Sequence, residues 1–138
     1  MRTIILFTLF VTNTIYSQIL EDWKHFELNS KWKVDYIKND SIQENRPYIG
    51  ELVFLNTNPE EPKFRVVFWV YKSEKEISPV LLENRKFLKS IFLEKSPNVM
   101  EKFEFKNHIY LLSLREELAF RDKFYKSLVN EIEKYIKK

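Results

Sequence analysis

The chain has 138 residues, no cysteine, two histidines, a single glycine and a formal net charge of +3. One glycine excludes every recognition loop that needs several, among them the dinucleotide, P-loop and nucleophile-elbow motifs. The lack of cysteine excludes disulfides, thiolate nucleophiles and cysteine-based metal sites, and two histidines exclude a three-histidine site.

Lysine and glutamate alternate along the chain instead of segregating, so no basic face of the kind nucleic-acid binders carry is expected. No cofactor is expected either. At the N-terminus Met1-Arg2 precedes an apolar run over 4–11, bounded by Thr12-Asn13-Thr14. That order of charge, apolar stretch and polar boundary reads as a secretory signal peptide over residues 1–17, cut between Ser17 and Gln18. The run is shorter than the ~20 apolar residues a spanning helix needs, so no membrane span is expected after cleavage. The expected product is exported, periplasmic or secreted. Residues 18–138 contain no repeat or linker and read as one globular domain whose core holds the fold without disulfides.

In chain order, the first strand is predicted over 31–38, where Trp32, Val34 and Tyr36 alternate with Lys33, Asp35 and Ile37. A polar stretch separates it from a second strand over 48–56, apolar throughout Leu52-Val53-Phe54-Leu55. Gly50 falls inside this strand and suggests a bulge or a close backbone approach. The third strand, 63–72, carries Phe64, Val66, Phe68 and Val70 on one face and Arg65, Val67, Trp69 and Tyr71 on the other. Apolar residues on both faces mark a central strand covered from two sides.

Ser78-Pro79 supplies a cap and a first-turn proline for a helix over 79–94. Leu81, Leu88, Ile91 and Phe92 approximate its buried face, and Ser96-Pro97 ends it. Two further strands, 99–105 and 109–114, flank a tight turn at Lys106-Asn107-His108. A final helix over 119–136 presents Phe124, Leu128, Ile132 and Tyr135, widened by Tyr125, Val129 and Ile136.

The predicted order is β-β-β-α-β-β-α, an α+β fold with a largely antiparallel sheet of about five strands and two helices. If both helices share one face, the side bearing Val67, Trp69 and Tyr71 must meet the N-terminal segment, a ligand or a second subunit. The alternative is three layers. The element order, ending on a helix after a hairpin, is similar to the Mog1/PsbP-like α/β/α sandwich, and the likeness implies only that layering, since none of that family's motifs is present.

Candidate chemistry is sparse. His25 and His108 are the only possible imidazole bases; His108 sits in a turn, while a helical turn could bring His25 beside Asp22 as part of a metal site. Neither matches a motif with a defined mechanism. Glu60-Glu61, Glu74 with Glu76, and Glu116-Glu117 are the carboxylate pairs a small hydrolase acting on an envelope polymer would draw on. All lie among other charges, where solvation is the default. Aromatic residues make up 16% of the chain, with Trp23, Phe26 and Trp32 interleaved with Lys24, Lys31 and Lys33. Core filling is their simpler use. Where exposed, Trp23, Trp32, Trp69 and Tyr71 are the expected contacts to a ligand or partner. The function expected is a non-catalytic binding or interaction module of the cell envelope, its partner an envelope protein or a small ligand; the hydrolase is the alternative.

Overall fold

A computed structural model describes the backbone at residues 2–40, 46–92, 100–114 and 123–138, and side chains at 15–40, 46–91, 100–114 and 123–138. The elements are α1 (Arg2–Leu28), β1 (Trp32–Lys38), β2 (Gly50–Asn56), β3 (Arg65–Tyr71), α2 (Pro79–Phe92), β4 (Lys102–Phe105), β5 (His108–Leu112) and α3 (Lys123–Ile136), with a 3₁₀ turn at Glu74–Glu76 before α2. The strands form one sheet in the order β1-β2-β3-β5-β4, antiparallel at every pairing. The α+β class holds, and β3 is central as its two apolar faces require. The Ser96-Pro97 stop and the start of the last helix, 119–122, lie outside the described residues.

The helix count needs correction, from two to three. The chain ahead of β1 is helical as far as Leu28, and Ile19, Trp23 and Phe26 are 0%, 0% and 4% exposed. Their spacing of four and three is the period of a helix laying one stripe on a core.

The helices divide between the faces. Val34, Leu52, Phe54, Phe68 and Tyr110 pack with Trp23 of α1 and with Leu128 and Ile132 of α3 in one cluster. On the other face Tyr71, Ile109 and Leu111 pack with Ile77, Leu81 and Leu82, which brings in α2. Three layers result, with two helices above the sheet and one below. Trp23 anchors the larger core: the rings of Phe26, Phe54, Phe103, Phe105, Tyr110 and Tyr135 lie 5.2–5.8 Å from it. Its indole N–H donates to the Tyr110 hydroxyl at 3.2 Å, which satisfies the one polar atom that burial would otherwise strand.

Local chemistry explains the details. The β4–β5 turn is formed by Lys106 (φ 48°) and Asn107 (φ 66°) alone, the pair of left-handed residues a two-residue hairpin demands; His108 therefore begins β5. Gly50 makes no bulge, since the β1–β2 register is unbroken from Trp32↔Asn56 to Lys38↔Gly50. A Cβ there would collide with the Tyr36 ring, whose hydroxyl donates to the Ile49 carbonyl at 3.0 Å. The glycine makes room for a cross-strand aromatic.

On α2 the buried face also differs from expectation. Leu81 and Leu88 are half-buried, but Ile91 is 54% exposed and Arg85 is only 3% exposed. Arg85 takes the place under the helix because its guanidinium donates to the carbonyls of Leu112 and Glu101, so its charge enters the interior already hydrogen-bonded.

The two sheet edges are finished differently. On β1 the residues bonded toward β2 are odd-numbered, since Thr57 N–H donates to the Lys31 carbonyl and Asn39 N–H to the Ile49 carbonyl; even-numbered residues face outward. Each outward N–H from Trp32 to Tyr36 has a side-chain acceptor: Trp32 the Ser30 hydroxyl (3.2 Å), Val34 the Glu27 carboxylate (2.7 Å) and Tyr36 the Asp35 carboxylate (2.8 Å). On β4, Leu112 N–H donates to the Glu101 carbonyl, so residues 101, 103 and 105 face β5. Lys102 and Glu104 turn their backbone groups outward, where no described residue meets them.

Candidate functional site

Three of the four aromatics expected as contacts are interior. Trp23, Trp32 and Tyr71 are 0%, 1% and 1% exposed. Trp23 and Trp32 point from α1 and β1 into the larger core, and Tyr71 lies under α2. Their area holds the domain together and leaves no ring face for a partner. Burial also pushes the Tyr71 hydroxyl up to about 12.

Trp69 is the exception. It lies on the α2 side of β3, partly exposed, with its ring stacked on Tyr48 at 5.4 Å and 8°. The pair forms one wall of a recess of about 140 Å³ shared with Arg46, Glu51, Arg65 and Ser113. A flat aromatic wall beside two guanidinium groups can hold a planar or anionic group.

The histidines do not assemble a catalytic or metal centre. His25 is exposed on the last turn of α1, beside a recess of about 360 Å³ between α1 and α3 that Glu131, Lys134 and Tyr135 also line. Asp22, its presumed companion by spacing, instead accepts from the Gln18 side chain at 2.9 Å. His108 holds its Nδ1 3.1 Å from the Lys106 carbonyl. No group of three metal-ligating side chains occurs among the described residues.

In each of the two described carboxylate pairs one member is engaged by donors. Glu61 accepts from the Asn56 amide at 2.6 Å and from Lys31 at 3.3 Å. The Asn56 hydrogen bond, above all, holds its carboxyl below the usual range against desolvation, with Lys31 adding to the lowering. Glu74 is lowered by the hydrogen bond and charge of Lys102. A general acid needs a shift in the opposite direction. Glu116-Glu117 lies outside the described residues.

One surface escaped the sequence reading. Val80, Phe87 and Ile91 of α2 are 65%, 66% and 54% exposed, and their spacing of seven and four puts them on one flank of the helix. The signal was available: α2 has apolar residues on two faces, and a single sheet covers only one of them.

Compared with known protein families, curated proteins and solved structures, the chain matches none. The likeness to the Mog1/PsbP-like sandwich finds no support in these comparisons.

Proposed function

We propose that this chain is an exported, non-catalytic interaction module of the cell envelope, which binds an envelope protein through the exposed flank of α2. The observation that carries the reading is the stripe of Val80, Phe87 and Ile91, each more than half exposed on a helix whose other face already packs on the sheet. Apolar side chains gathered on one flank mark a contact surface more often than singly scattered ones do. The Trp69 recess lies on the same side of the sheet and offers the second contact. Export is supported by the leader pattern of residues 1–17. Among the described side chains of α1, which begin at Ile15, the buried ones are Ile19, Trp23 and Phe26, and cleavage at the Ser17–Gln18 junction keeps them at the loss of the contacts of Ile15 and Tyr16.

Native mass spectrometry of the protein released gently from the envelope tests the reading. The chain should start at Gln18 and carry a partner protein, which the double substitution Phe87→Ser, Ile91→Ser releases. These exposed positions should shift stability by no more than about 0.5 kcal/mol. A complex that survives the double substitution contradicts the assignment of the flank. A small molecule retained in place of a protein moves the site to Trp69.

A further inference from the structure

We infer that the β4 edge pairs antiparallel with the β4 edge of a second copy of this chain, joining two five-stranded sheets into one. Lys102 and Glu104 direct their backbone N–H and C=O groups away from β5, and both residues are exposed. A short charged edge ordinarily discourages pairing. Charges of one sign would do so in every register. Here the two outward residues carry opposite signs, and that selects a register.

With Phe103 opposite Phe103 of the copy, Lys102 meets Glu104 of the copy and Glu104 meets its Lys102, in two hydrogen-bonded pairs related by the two-fold axis. Opposite charges directly across a ladder attract and like charges repel. Sliding the copies by two residues in total opposes Lys102 to itself in one direction. In the other it opposes Glu104 to itself and Lys102 to Lys106. Of these registers only the central one pairs both outward charges, Lys102 and Glu104, with their opposites. Glu74 already holds Lys102 from the same side of the sheet, so the lysine would sit between two carboxylates. The other edge offers less, because its outward donors at Trp32, Val34 and Tyr36 are taken by Ser30, Glu27 and Asp35, which leaves Lys38 at the end of the strand. This interface does not involve the α2 flank and stands or falls separately from it.

Sedimentation velocity on the purified chain, over a series of concentrations, tests the pairing with charge exchange. The wild-type chain should form dimers, and Lys102→Glu or Glu104→Lys alone should weaken them at least tenfold. An equimolar mixture of the two variants should dimerise again, since the all-acidic edge of one then meets the all-basic edge of the other. The double substitution Lys102→Glu, Glu104→Lys should restore self-association. A wild-type chain that stays monomeric at the highest soluble concentration overturns the inference. So does a dimer indifferent to either substitution, or a mixture that fails to reassociate while both variants keep their fold by circular dichroism.

Discussion

The two edges of the sheet show how differently one fold can treat exposed backbone. β1 is sealed by side chains that begin outside or beside the strand: Glu27 reaches Val34 from α1, Ser30 reaches Trp32 from the connection, and Asp35 reaches Tyr36 from within the strand. β4 has neighbours of comparable polarity, but they engage its side chains. Lys89 of α2 pairs with the Glu101 carboxylate at 3.2 Å, and Glu74 pairs with Lys102. Polarity near an edge does not seal it; an acceptor must reach the outward N–H. The middle of the seal on β1, at Val34, therefore depends on α1 being packed, and α1 is held by Trp23.

Removing that anchor should do the most damage. Trp23→Ala empties the centre of the larger aromatic cluster and should cost about 3–5 kcal/mol in urea unfolding. It should also speed amide exchange at Val34, since α1 is what presents Glu27. Next, Gly50→Ala should cost about 1–3 kcal/mol by driving a methyl into the Tyr36 ring. If unfolding shows no loss, the ring is not held over Gly50 and β1 is less fixed than its hydrogen bonds require. Glu27→Ala should cost about 1–2 kcal/mol by unpairing a partly buried N–H. Its more telling effect is selective: faster exchange at Val34 with β4 unchanged.

The smallest effect concerns alkaline pH. Burial raises the Tyr36 hydroxyl from 10.0 to about 12, so the fold favours the protonated form. Its contribution is complete below pH 10 and is lost as the pH climbs toward 12. Tyr36→Phe should flatten that part of the stability curve, as measured by denaturant midpoints across the range.

Much of this architecture is legible in the sequence because strands have a strict period. Alternation placed β1, and the two apolar faces of β3 identified it as central before any strand order was known. The left-handed residues Lys106 and Asn107 occupy the turn where a short polar break separates two apolar runs. α1 was missed because its helical spacing begins within a stretch that also reads as an export leader. Its tryptophan, next to Lys24, reads as core filling with a partner contact as the alternative, and the first holds: Lys24 is exposed while the ring turns inward.

The site is harder to read for a related reason. Composition shows that aromatics are plentiful without showing which ones a third helix covers, and α1 takes Trp23 itself into the core. Of Trp23, Trp32, Trp69 and Tyr71, only Trp69 keeps an accessible surface, near the middle of the sheet. Arg85 breaks the apolar pattern of α2 because two carbonyls wait beneath it, and that is invisible until β4 and β5 are placed.

The most direct test of the contrast between the edges is amide hydrogen exchange by NMR in dilute solution, at five of the outward positions. Trp32, Val34 and Tyr36 should exchange slowly, and Lys102 and Glu104 should exchange close to the rate of unstructured chain. Equal protection on both edges, or faster exchange on β1 than on β4, would contradict the account.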